Sequence, residues 1–129
     1  MIRKKWLAVV ALFGGSLCAQ NPIVPPGVFA ADPEGHQWKD GRLYLYVSRD
    51  ESPDFYCSWR YDLLSTDDLK NWTIHRDAFA SKGPNDEVPY SDGELYASDA
   101  AYKDGKYYLY YSMRDAIDEG VAVADAPAG

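Results

Sequence analysis

Hydrophobic and polar positions alternate in two separate places. In Leu43-Tyr-Leu-Tyr-Val-Ser48, residues Leu43, Leu45 and Val47 share one face, and Tyr44, Tyr46 and Ser48 share the other. The pattern returns in Tyr107, Leu109 and Tyr111 against Tyr108, Tyr110 and Ser112. Neither face is cleanly polar, so both strands are expected to be covered on both sides. A short lead precedes each strand. Val28-Phe29-Ala30-Ala31 delivers Asp32, and Leu95-Tyr96-Ala97-Ser98 delivers Asp99. An Asp-Gly pair lies between lead and strand, Asp40-Gly41 in the first unit and Asp104-Gly105 in the second, and reads as a hairpin turn. The turns lie 64 residues apart (41 to 105) and the two aspartates 67 (32 to 99). A supersecondary unit recurring at such a period predicts a propeller or a solenoid.

The rest of the chain fits around these units. Pro22, Pro25 and Pro26 make residues 21–27 extended and irregular. Val28 to Ala31 reads as a strand stopped by Asp32-Pro33. Cys57 to Leu64 reads as a third strand and Thr73 to Arg76 as a fourth, outer one. Between them, Ser65 to Trp72 is a compact turn. Asp67 and Asp68 are placed to accept backbone hydrogen bonds there, with Trp72 folding over. Asp77 to Asp92 is a long connector, the kind of loop that often carries function. Four strands match one propeller blade. The second unit gives an inner strand, the tyrosine strand and Gly120 to Ala124, with Asp125-Ala126-Pro127 where the first unit had its compact turn. Propellers typically have four to eight blades, so the sequence reads as the N-terminal part of something longer.

Composition narrows the class. The chain has 129 residues, 15% of them aromatic, with 11 Tyr and 4 Trp, which favours folded β structure. A net charge of −7 disfavours nucleic acid and anionic membranes as partners. Residues 1–19 read as a signal peptide. Arg3-Lys4-Lys5 is followed by the apolar run Trp6 to Phe13 and a break at Gly14-Gly15-Ser16, with cleavage after Ala19. That implies a secreted or periplasmic protein, with no membrane association after signal removal. Acylation at Cys18 is disfavoured by the bulky Leu17. Loss of the segment leaves Cys57 without a disulfide partner, and it reads as a small buried hydrophobe. His36 and His75 are too few and too far apart to form a metal site by spacing.

Five motifs in order give the chain a family resemblance. They are Ala31-Asp32-Pro33-Glu34 before Trp38, Asp40-Gly-Arg-Leu-Tyr-Leu-Tyr46, Ser65-Thr-Asp-Asp-Leu-Lys-Asn-Trp72, Tyr96-Ala-Ser-Asp-Ala100, and Asp104-Gly-Lys-Tyr-Tyr-Leu-Tyr110, with Gly120-Val-Ala-Val after them. The pattern, over residues 21–129, resembles glycoside hydrolase family 43, secreted enzymes of plant-polysaccharide breakdown. The resemblance implies an all-β fold, a five-bladed β-propeller of which residues 20–129 supply the first two blades. Blade one would span about 28–76 and an incomplete blade two about 95–129. It also implies inverting hydrolysis of O-glycosidic bonds in arabinose-, xylose- or galactose-containing oligo- or polysaccharides.

Carried over by motif, Asp32 matches the family's general base. Asp99 matches the carboxylate that tunes and orients the general acid, a glutamate of a later blade. Glu119 precedes the third strand of blade two and is not in the acid's place. Ser98 stands where the family usually has proline. Trp38, Trp59 and Tyr96 are candidate stacking faces for sugar rings, with ordinary blade packing as the alternative. No cofactor is required by the resemblance, and an axial calcium or other ion is compatible with it. A non-catalytic sugar-binding fragment is the competing reading of the chain by itself.

Overall fold

The computed structural model describes residues 23–114 and 119–129. The expected signal peptide and Cys18 lie outside them. The described chain forms two antiparallel sheets and no helix. In the first sheet β1 (Ala30–Gln37), β2 (Leu43–Arg49), β3 (Arg60–Thr66) and β4 (Thr73–Ala80) lie in chain order. In the second, β5 (Asp99–Lys103), β6 (Lys106–Ser112) and β7 (Glu119–Ala124) do the same. Each sheet is a meander, as expected for a propeller blade.

Two turns open these meanders. Asp104 (φ 51°) and Gly105 (φ 84°) both take the left-handed conformation, which makes β5–β6 a tight two-residue hairpin. In the first unit the Gly41 amide donates to the Trp38 carbonyl, and the Asp40 carboxylate accepts from the Tyr44 hydroxyl at 2.6 Å.

Three boundaries differ from the sequence reading. β1 does not stop at Asp32-Pro33. Its pairing slips by one residue, from Ala31 opposite Ser48 to Glu34 opposite Tyr46, and Asp32 takes φ 47° in the resulting bulge. Proline is tolerated there because β1 is an edge strand. The third strand runs from Arg60 to Thr66, not from Cys57 to Leu64, because Ser58 pairs instead with Leu95. β4 continues past Arg76 to Ala80 through a second bulge at Asp77 (φ 53°), which reads as a loop in the sequence.

The two faces of β2 face two different apolar clusters. Leu45 and Val47 pack with Leu64, Val24, Val28, Trp72 and Ile74. Tyr44 and Tyr46 pack with Leu63, Ala100, Trp38 and Leu109, joining the first sheet to the second. A third cluster of Tyr61, Phe79, Val88, Leu95, Tyr111 and Met113 closes the same junction further along. This covered double face is why β2 lacks a polar stripe. The far side of the second sheet differs, with Tyr110, Val121 and Val123 exposed.

Candidate active site

β1 and β5 lead their sheets and touch each other. Asp32 sits on the β1 bulge and is exposed to solvent. Its charge reaches Tyr61, whose phenol is pushed above its usual range mainly by burial and additionally by Asp32. The Tyr61 hydroxyl donates to the Tyr96 carbonyl, tying β3 to the segment that leads into Asp99.

Asp99 is the first residue of β5, and its side chain is 65% exposed. Its Oδ1 accepts from the Ala100 amide at 2.6 Å and lies 3.2 Å from His36 Nε2. His36 comes from β1, so this contact crosses from one sheet to the other. Glu34 Oε1 lies 3.6 Å from the same His36 nitrogen. Strand alternation explains the arrangement, since Glu34 and His36 are two residues apart and share a face. The His36 ring is held flat against Trp38, at 4.6 Å and 5° between planes, with Tyr46 edge-on at 6.2 Å. Sequence spacing did not reveal this cluster. Its signal was the alternation of Glu34 and His36, combined with a fold that brings Asp99 alongside.

The three aromatic candidates fall in different surroundings. Trp38 is half-buried between the sheets, edge-on to Tyr107 at 5.6 Å, and donates to the Tyr46 hydroxyl at 3.3 Å. Trp59 donates to the Asp92 carbonyl at 2.9 Å, and the Lys82 ammonium sits 5.0 Å above its ring. Tyr96 is half-buried and lies stacked with Tyr56, 6.4 Å between centroids. Desolvation, with its Tyr56 and Cys57 neighbours, pushes the Tyr96 phenol up to about 12. Tyr56, absent from the sequence candidates, is 69% exposed. It borders an open cleft of about 510 Å³ with Phe29, Asp50 and Glu51. The Asp50 amide donates to the Phe29 carbonyl at 3.3 Å, which fixes this cleft three residues before Asp32.

Cys57 is buried, and burial pushes its thiol up, away from a nucleophilic role. Among the described residues, Glu34, His36 and Asp99 form the one group of His, Cys, Asp or Glu with three donor atoms close together, all within 4.8 Å. Two carboxylates and an imidazole make a mixed oxygen–nitrogen donor set, whereas calcium takes six to eight oxygen ligands.

Asp32 and Asp99 thus stand on β1 and β5, the first strands of two sheets that touch. The family model for Glycosyl hydrolases family 43 matches residues 19–129, and the chain belongs to that family. It is 34% identical over 115 residues to a "Xylosidase/arabinosidase" of Bacteroides ovatus, covering 81% of this chain and 34% of that protein. It is 36% identical over 113 residues to "Xylosidase/arabinosidase 43A" of Humicola insolens, covering 79% and 34%. Among solved structures, it resembles the GH43_1 enzyme from Xanthomonas citri complexed with xylotriose. The TM-score is 0.68 at 30% identity, over 84% of this chain and 32% of that one. The chain therefore spans about a third of the length of these relatives and supplies part of a β-propeller.

Proposed function

We propose that the complete protein is a glycoside hydrolase acting on xylose- and arabinose-containing plant oligo- or polysaccharides. The observation that carries this is the placement of Asp32 and Asp99. Both are exposed carboxylates on the leading strands of adjacent blades. The relatives named as xylosidase/arabinosidase support the substrate class.

In this reading Asp32 is the general base. It takes a proton from water as the water attacks the anomeric carbon from the face opposite the leaving group. The proton donor is the glutamate that the family places in a later blade. Inverting chemistry sets base and acid about 6.5–9.5 Å apart, leaving room for that water. Asp99 orients the donor, and its negative charge raises the donor's pKa so that it stays protonated near neutral pH. Tyr56, which lines the cleft, and Tyr96 stacked on it offer faces for sugar rings; Trp59, against Asp92 and Lys82, offers another. Trp38 is assigned to blade packing instead, because its ring is enclosed by His36, Tyr102 and Tyr107. Secretion or periplasmic export is part of the proposal and rests on the basic and apolar pattern of residues 1–19.

The test is hydrolysis of aryl xylosides and arabinosides by the complete protein, with Asp32→Ala and Asp99→Asn alongside. Asp32→Ala should remove turnover while sugar binding persists. Near-normal turnover in Asp32→Ala would overturn the base assignment. Binding without turnover by the unaltered protein would make it a sugar-binding propeller.

A further inference from the structure

We propose that Glu34, His36 and Asp99 form a binding site for a divalent transition-metal ion of the Zn²⁺ type, clamped between the two sheets. Three donor atoms converge: Glu34 Oε1, His36 Nε2 and Asp99 Oδ1. In a tetrahedral Zn²⁺ site with bonds of about 2.0–2.1 Å, neighbouring donors stand about 3.3 Å apart. The gaps from His36 Nε2 to Asp99 and to Glu34 are 3.2 and 3.6 Å, already at that spacing. The remaining gap, between the carboxylates, closes by rotation of two side chains that are 46% and 65% exposed.

The imidazole is the least mobile of the three donors. Stacking on Trp38 and the edge of Tyr46 fix its plane, with Nε2 turned towards both carboxylates. Two carboxylates balance the charge of a divalent ion, and three protein ligands leave a fourth position for water. An imidazole donor selects for zinc, copper or nickel rather than calcium or magnesium. Zn²⁺ and the orienting role proposed for Asp99 draw on the same carboxylate, so bound metal would compete with that role; binding is read without turnover, so its failure is distinguishable from failure of the catalytic assignment.

The experiment is calorimetric titration of the tag-free, metal-stripped chain with Zn²⁺. His36→Phe, Glu34→Gln and Asp99→Asn are run in parallel, each compared with the parent by far-UV circular dichroism without metal. His36→Phe keeps a ring over Trp38. Should it fail to fold, the two isosteric carboxylate variants, altered at exposed side chains, decide the matter. One equivalent of Zn²⁺ should bind the parent, and each folded variant should bind at least tenfold more weakly. Co²⁺ in place of Zn²⁺ should give d–d bands without thiolate charge transfer. The site is overturned if the parent binds no Zn²⁺ or if the variants bind as the parent does. It is equally overturned if Ca²⁺ displaces Zn²⁺ at equal concentration, or if charge-transfer absorption places the metal on a cysteine.

Discussion

Arg49, at the end of β2, donates to Asp62 in the middle of β3 at 3.2 Å, and the Asp62 side chain is 1% exposed. Arg76 and the Asp77 amide, both in the β4 bulge, also donate to this carboxylate. Arg49 turns its other nitrogen to Asp77 at 2.5 Å and to Glu51 at 2.9 Å. One buried acid thus organises the end of β2, the β4 bulge and the start of the loop beside the cleft. Asp62→Ala should destabilise the chain by about 3 kcal/mol, because Arg49 Nη1, Arg76 and the Asp77 amide lose their shared buried acceptor, while Arg49 keeps Asp77 and Glu51. The half-exposed Arg76 keeps the figure at the lower end. Urea denaturation should show the midpoint falling with little change in slope.

Gly120 lies opposite Tyr111 in the β6–β7 ladder, and a Cβ there would land within the Tyr111 phenol. The ring has little room to move. Its hydroxyl meets that of Tyr90 at 2.7 Å, and its face packs on Phe79 at 4.8 Å. Gly120→Ala should therefore cost about 2–3 kcal/mol by overpacking. In a double-mutant cycle, Tyr111→Ala should cancel most of that cost, since removing the ring frees the space. Additive losses in thermal melts would refute the contact.

The meander, its turns and the double-sided packing of β2 are legible in the sequence because period-two alternation and Asp-Gly pairs are local signals; β6, expected to be covered on both sides, leaves Tyr110 exposed. The bulges are not legible. Asp32-Pro33 looks like a strand end because proline lacks an amide for the ladder. The bulge leaves that position without a ladder partner, and the edge placement of β1 removes the penalty. Asp77 reads as a loop start for a different reason, since its left-handed backbone is stabilised by Asp62 and Arg49, residues distant in sequence.

The site divides along the same line. Asp32 and Asp99 are candidates by their repeated position after each unit's apolar lead, and the fold puts them on the leading strands of the two sheets. His36 and His75 lie too far apart to make a metal site by spacing, and packing of the sheets instead brings Asp99, 63 residues away, to His36. Trp38 was legible as an aromatic but not as an enclosed one, because Tyr102 and Tyr107 cover it from the second sheet.

Alkaline pH should unfold the chain through its tyrosines. Burial first, then the hydrogen bond to Asp40, pushes Tyr44 up to about 12, and burial and Tyr90 push Tyr111 to the same value. Unfolded tyrosines ionise near 10. The unfolded state therefore loses protons first as pH rises, and the stabilisation present below about pH 10 is lost between about 10 and 12. Phenolate absorbance and far-UV circular dichroism should change together over that window. Phenolate appearing near pH 10 from Tyr44 and Tyr111 in the folded chain would contradict the burial argument. Tyr111→Phe should reduce the pH dependence, since one shifted group is removed.

Asp32 links backbone strain to the proposed chemistry. Its φ of 47° places a residue with a Cβ in the left-handed region, which aspartate tolerates better than alanine and glycine occupies freely. Asp32→Ala should therefore lower stability by about 1 kcal/mol, while Asp32→Gly should match or exceed the parent. In the complete protein both variants should lose turnover alike, because both lack the carboxylate. Stability and activity would then move independently at one position, as expected where a carboxylate is kept for chemistry at a strained site. Thermal melts of the three chains, read beside xyloside and arabinoside hydrolysis, give the comparison. If Asp32→Gly melts well below Asp32→Ala, the left-handed bulge is wrong. If Asp32→Gly retains turnover, Asp32 is not the base.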